Sequence, residues 1–298
     1  MSHPERLYEI YEVAELTGLA PARLRAWERR YAVVRPARQA NRYRAYSARQ
    51  VALLRAYARL IKAGARIGDL VARPVEDVLA SAEARDRDGT PVGAILSAIE
   101  RLDRAAIGAI LERELDARGL VRLCDEIVRP LGEIVGDRWA LGILPIALEH
   151  MASESVVSFL KHELSRTAPS DGPLLLAACL EGERHEWGVL QMLAQAREGG
   201  WRLSYLGTDL PLKEVVEAAW RIRPSAIALS ASNPENVQRH LAALTRMPGQ
   251  LPAGARIMIG GRGFAACLGE LGKAGFEHPG LPFPPANAPA GGGSRSRR

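Results

Sequence analysis

Beyond residue 173 the chain alternates short apolar runs with amphipathic stretches, and this alternation limits the possible folds more than any other feature. Runs at 174–180, 201–206, 226–230 and 256–259 are apolar over strand length. Helical patterns fill the gaps at 188–198, 212–221 and 236–246. Strands joined through helices need crossovers, so the pattern predicts a parallel sheet with helices on both faces. Such sheets receive ligands beyond the carboxyl ends of their strands.

The loop after the first predicted strand lies at that edge. It reads Leu180-Glu-Gly-Glu-Arg-His-Glu-Trp-Gly188 and holds the one histidine in such a loop. A neutral His185 imidazole can ligate a transition metal. Glu183, two residues earlier, can hydrogen-bond the other ring nitrogen and fix the tautomer. Taken alone, such a histidine reads as polar surface.

Spacing separates the two readings. Forty-one residues part Gly188 from Ser230, and 27 part Ser232 from Gly260-Gly261. The pattern resembles the cobalamin-binding fold of methyltransferases and mutases: Asp-x-His-x-x-Gly, then Ser-x-Leu or Ser-x-Thr, then Gly-Gly. The resemblance implies a Rossmann-like domain of flavodoxin-like strand order. In it His185 would be the lower axial cobalt ligand, and Gly188 would let the nucleotide tail pass. Ser230 and Ser232 would line the pocket for the buried base, and Gly260 and Gly261 would allow close approach of the tail. Glu183 replaces the usual Asp, an exchange also found in light-sensing regulators, and the middle element is Ser-Ala-Ser.

The other end of the chain is basic. Residues 1–70 hold 14 Lys/Arg against 6 Asp/Glu, a net +8, which leaves −2 for the rest of a chain whose total is +6. A basic head on a slightly acidic body suggests that only the head meets a polyanion. A first helix over 11–17 stops at Gly18, and a second runs over 22–31 with Pro21 before it. Two short helices around a tight turn predict a helix-turn-helix with Val13, Ala14, Leu16, Leu24 and Trp27 inside. Residues 33–46 read as a hairpin wing, followed by a helix capped by Ser47.

The run Trp27-Glu-Arg-Arg-Tyr31, Arg35-Pro36 and Tyr43-Arg44-Ala-Tyr46-Ser47 resembles the DNA-binding domain of the MerR family over residues 8–75. That resemblance implies a second helix in the major groove and wing arginines on the backbone. Arg23, Arg25, Arg42, Tyr43 and Arg44 are the expected contacts with double-stranded operator DNA. Ala40-Asn41 replaces the usual wing-tip glycine, and Asn41 can adopt the left-handed turn. MerR-type proteins act as dimers on inverted repeats.

Between the ends, residues 76–167 carry helical periodicity, for example Leu123, Ile127, Leu131 and Ile134, with Pro130 a potential kink. Gly142 and Pro145 should split the run 139–150, so that Trp139 ends one helix while Glu149 and His150 open the next. An indole with a carboxylate and an imidazole suits an adenosine; the plainer alternative is a core Trp139 with surface Glu149 and His150. Trp, nine residues, then Glu-His is similar to the CarH/LitR-type photoreceptors, MerR-like regulators that bind adenosylcobalamin. The resemblance implies a four-helix bundle over the corrin's upper face. It further implies a dark-state oligomer on DNA, dimer or tetramer, that light dissociates. Some family members place a cobalt-binding histidine directly after the tryptophan; here that residue is Ala140.

The expected architecture is thus multi-domain. A winged helix-turn-helix occupies 1–75, a four-helix bundle 76–167, a cobalamin-binding α/β domain 168–278 and a disordered tail 279–298. Three dispersed cysteines form neither a disulfide framework nor a zinc pattern. Apolar runs stay well short of a membrane span. Together these suggest a cytoplasmic protein. The expected function is a light-responsive adenosylcobalamin-binding regulator, most simply a repressor. The alternatives are a light-independent cobalamin or redox sensor and, against the DNA-binding head, a corrinoid methyltransferase or mutase subunit.

Overall fold

The computed structural model describes residues 7–38, 43–87, 89–166, 171–280 and 282–287. The chain divides into two compact units, residues 1–116 with 126–155, and residues 117–125 with 156–298. Among the described residues no helix is long and apolar enough to cross a membrane.

The first unit begins with β1 (Leu7–Tyr8), α1 (Ile10–Thr17) and α2 (Pro21–Tyr31). Gly18 ends α1 at φ 68°, a left-handed conformation that glycine adopts without a Cβ penalty. Pro21 opens α2, where its missing N–H costs nothing. The wing is β2 (Ala37–Arg38) against β3 (Arg44–Ser47), antiparallel, with β1 on the other edge of β3. Arg42, at the expected wing tip, lies outside the described residues.

Ser47 caps α3 (Ala48–Lys62) in a capping box: its Oγ accepts from Gln50 N, and its own N–H donates to Gln50 Oε1. Val13, Leu24 and Trp27 are buried with Tyr46, Leu54 and Tyr57, and Trp27 meets Tyr57 edge-on. Ala14 and Leu16 are only partly buried against this core.

Helices α4 (Ile67–Val71), α5 (Val75–Arg87), α6 (Pro91–Glu100), α7 (Arg104–Arg118) and α8 (Leu120–Leu123) follow. A π-helical turn, Cys124–Val128, separates α8 from α9 (Arg129–Ala140). The kink expected at Pro130 is therefore this π turn. Proline has no N–H to give the carbonyl four residues back, and the wider turn relaxes that spot. Leu123, Ile127, Leu131 and Ile134 are all buried, as their spacing predicts. Helix α10 (Ile146–Ser165) completes the helical region.

Within the first unit α3 meets α9 through charge. Arg55 Nη1 donates to Asp137 Oδ1 at 2.8 Å, Arg59 Nη1 lies 3.7 Å from Asp137 Oδ2, and Arg49 Nη1 donates to the Leu141 carbonyl at 3.0 Å. Arg138, itself buried, reaches Glu83 and Glu100, each at 3.4 Å.

The second unit contains the predicted sheet. β4 (Leu174–Cys179), β5 (Arg202–Tyr205), β6 (Ala226–Ser230), β7 (Arg256–Gly260) and β8 (Phe276–Glu277) run parallel in the order β5-β4-β6-β7-β8. This is the flavodoxin-like order, and its switch point lies between β4 and β6. Helices α11 (Trp187–Glu198), α12 (Leu212–Ile222), α13 (Pro234–Arg246) and α14 (Leu268–Lys273) complete the crossovers. Leu176, Ile227, Leu229, Ile257 and Phe264 centre the core. Pairing sets Cys179 level with Ser230, and Ser230 level with Gly260, so three loops leave the sheet at one height.

The expected disorder from Pro279 onward is corrected for the described residues up to 287; residues 281 and 288–298 of that tail lie outside the described residues. Phe283 is buried, and its ring meets Trp201 edge-on at 6.3 Å. Trp201 Nε1 donates to the Pro284 carbonyl, Phe283 N to Gln195 Oε1 and Ala286 N to the Gly199 carbonyl, each at 2.9 Å. An aromatic anchor and backbone pairing outweigh the Pro-Ala-Gly composition that suggested a free tail.

Candidate functional site

The loop from Leu180 to α11 is built around a buried carboxylate. Glu183 N donates to the Leu180 carbonyl at 2.8 Å, with Gly182 at φ 80° inside that turn. The turn is tied down when Gly182 N donates to Asp209 Oδ1 and Asp209 N donates to the Glu183 carbonyl. The Glu183 side chain is 2% exposed. Its Oε1 accepts from His185 N at 2.8 Å and His185 Nδ1 at 2.7 Å. Its Oε2 accepts from Ser232 N at 2.5 Å, Ser232 Oγ at 2.6 Å and Asn233 N at 3.2 Å.

Burial alone would raise the Glu183 carboxyl. The hydrogen bonds from His185 and Ser232 outweigh it and hold the group at about 2. An ionised carboxylate only accepts, so His185 must carry its proton on Nδ1. In the neutral imidazole the lone pair then falls on Nε2, on a side chain that is 83% exposed. This is the tautomer and presentation a metal-ligating imidazole needs.

The surrounding positions divide. At Gly188 and Gly260 an added Cβ would meet open space, so both leave backbone accessible to a ligand. Gly261 differs from the expectation of a tail-facing glycine. It sits at φ 92°, and a Cβ there would lie 2.4 Å from the Ala231 carbonyl oxygen. Its glycine serves backbone packing, as does Gly263, whose Cβ would lie 2.8 Å from the same oxygen. Ser232, expected to line a pocket, spends its hydroxyl on Glu183. Ser230 closes β6 at the switch point.

In the first unit, Trp139 ends α9 and is 48% exposed, which removes the alternative of a core tryptophan. Gly142, at φ 73°, turns the chain toward α10. There Glu149 Oε2 pairs with His150 Nδ1 at 2.6 Å, and Glu149 Oε1 accepts from Ser153 Oγ at 2.8 Å. Exposed Ile143 and Ile146 flank the same turn.

On the head, Arg23 and Arg25 are exposed along α2, and Tyr43 is exposed beside the wing. Arg44 behaves differently from the expected DNA contact. Its Nε donates to Glu28 Oε2 at 2.7 Å, and Tyr46 donates its hydroxyl to Glu28 Oε1. The pair ties β3 to α2, so Arg44 first holds the wing against the helix.

Residues 8–71 match the MerR HTH family regulatory protein family, and residues 93–162 match the B12 binding domain family. The chain is 32% identical over 267 residues to the HTH-type transcriptional repressor CarH of Myxococcus xanthus, covering 86% of this chain and 89% of that protein. The chain belongs to the CarH/CarA family of MerR-type regulators. It is also 31% identical over 279 residues to the repressor CarA of the same organism, covering 90% of this chain and 91% of that one. The monomethylamine corrinoid protein of Methanosarcina barkeri shares the fold alone, at 18% identity and a TM-score of 0.50 over 62% of this chain and 90% of that one.

As a CarH/CarA-type protein the chain is a cobalamin-binding regulator with a DNA-binding head, not an enzyme. The second unit fits that cofactor: one imidazole held through Nδ1 on a largely exposed side chain, and two glycines whose missing Cβ atoms leave open space.

Proposed function

We propose that the chain is a light-responsive transcriptional repressor that uses adenosylcobalamin. The observation that carries the reading is the half-exposed Trp139, followed across one turn by the Glu149–His150 pair. An exposed indole offers a flat apolar face to adenine, and a hydrogen-bonded carboxylate suits ribose hydroxyls. His185 would hold the cobalt, with Glu183 fixing its tautomer and Ser232 holding Glu183. Ser230 would line the pocket for the base, and Gly188 and Gly260 would border the nucleotide tail. When bound, adenosylcobalamin supplies a cobalt–carbon bond that green light breaks.

Arg23, Arg25 and Tyr43, with Arg42, which lies outside the described residues, meet operator DNA. Arg44 adds to them from its place on Glu28. The protein acts in the cytoplasm as a homo-oligomer, dimer or tetramer, that holds DNA in darkness. Repression fits the names of both Myxococcus relatives. Gel shifts of the adenosylcobalamin-loaded protein test the reading. Retention of DNA in darkness and release under green light is expected; equal affinity in both overturns the light response.

Ala140 favours one second reading, regulation by cobalamin level without light, because no histidine follows Trp139 to trap an illuminated state. Equal DNA affinity in dark and light, together with dependence on added cobalamin, would select it.

A further inference from the structure

Glu186 directly follows His185 and stands at the N-cap position of α11, yet its side chain makes no cap hydrogen bond. A side-chain oxygen at an N-cap can accept from the first-turn N–H groups. Here the carboxylate turns away, and its side chain is 13% exposed. Its Oε2 accepts from the Tyr205 hydroxyl at 2.8 Å, and its Oε1 accepts from Lys161 Nζ at 2.8 Å.

Both donors are fixed from outside the loop. Tyr205 ends β5 in register with Ala177, and the next residue, Leu206, donates its N–H to the Ala177 carbonyl. Lys161 stands on α10. The Cys179 thiol adds a bridge, lying 3.7 Å from the Tyr205 hydroxyl and 3.8 Å from the His185 carbonyl oxygen, to which it can donate.

We infer that Lys161 and Tyr205 are positioning residues for the corrinoid's lower ligand, holding Glu186 so that the loop bearing His185 is anchored on both sides. Glu183 secures the loop two residues before the histidine, and Glu186 secures it one residue after. His185 itself is 83% exposed, so little packing aims its ring. Its direction depends on the backbone held between the two carboxylates. The Glu183 side alone fixes the tautomer; the Glu186 side fixes where Nε2 points.

This inference rests on the corrinoid reading of His185, and the test separates the two. Full-length protein carrying histidine labelled with heavy nitrogen is loaded with cob(II)alamin, and its electron paramagnetic resonance is recorded. Wild type should show splitting from a labelled histidine nitrogen on cobalt. The Lys161→Met/Tyr205→Phe double variant should lose much of that splitting and bind hydroxocobalamin about tenfold more weakly, the effect usual for groups that orient a metal ligand. Its apo-protein melting should stay close to wild type, and Lys161→Arg alone, which keeps the cation, should keep the splitting. Tyr205→Phe alone, which removes one hydroxyl, gives the same readout should the double variant fold poorly. Unchanged splitting and affinity in these variants overturn the positioning role. Absence of histidine splitting in wild type overturns the corrinoid reading and this inference with it.

Discussion

Arg55 on α3 of the DNA-binding head donates Nη1 to Asp137 on α9 at 2.8 Å, and both side chains are largely buried. Asp137 stands two residues before Trp139. The head is therefore fastened to the last turn of the helix that presents the indole.

Removing Arg55 takes the 2.8 Å hydrogen bond from buried Asp137 and leaves its charge to the more distant Arg59 at 3.7 Å. Arg55→Ala should cost about 3 kcal/mol of stability. Burial raises the Asp137 carboxyl, and Arg55 and Arg59 oppose that rise. A raised carboxyl contributes stability at acid pH that is lost as pH climbs through its folded-state value. Without Arg55 the rise is larger, so the variant should recover stability on acidification more than wild type. Urea unfolding at several pH values measures both effects.

Glu183 works in the opposite sense. Its folded-state value of about 2 lies below the ordinary 4.5. Its contribution is therefore full above about 4.5 and is lost as pH falls from there to about 2. The wild-type minus Glu183→Gln difference in unfolding free energy should shrink across that window. At neutral pH, Glu183→Gln should weaken corrinoid binding about tenfold or more by releasing the tautomer. Spectral titration with hydroxocobalamin measures it.

The two adjacent glycines should separate fold from binding. Gly261→Ala drives a Cβ against the Ala231 carbonyl at a positive φ and should cost about 3 kcal/mol. Gly260→Ala meets open space and should leave melting nearly unchanged, yet weaken cobalamin binding by filling the face left for the tail. Paired melting and titration curves distinguish the two.

Wing and helix charges should also differ. Arg25→Ala should weaken DNA binding across sequences and lower the salt slope by about 1, as expected for one lost phosphate contact. Arg44→Ala should in addition lower the stability of the head, because it releases Glu28. Salt-dependent binding and thermal melting check this pair.

At the carboxyl end, truncation after Gly280 should destabilise the protein by about 2 kcal/mol by uncovering Trp201 and removing buried Phe283.

The sequence reveals the sheet because short apolar runs and helical patterns have different periods, and period survives without long-range information. The His185 loop is legible through spacing on either side. β8 escapes notice because two residues cannot display a period. The roles of Ser232 and Arg44 escape because each depends on a carboxylate far along the chain, Glu183 and Glu28, which no local pattern announces. Glu186 looks like an ordinary helix-opening acid, and only Tyr205 and Lys161 in three dimensions give it another task.

Residues 137, 138 and 139 occupy successive positions on the last turn of α9, about 100° apart around the axis. Asp137 faces Arg55 and Arg59, Arg138 faces Glu83 and Glu100, and Trp139 faces outward. The helix end thus works like a keyed shaft. It has no idle side on which to roll, and any twist that re-aims the indole must draw one of the two charged keys from its slot.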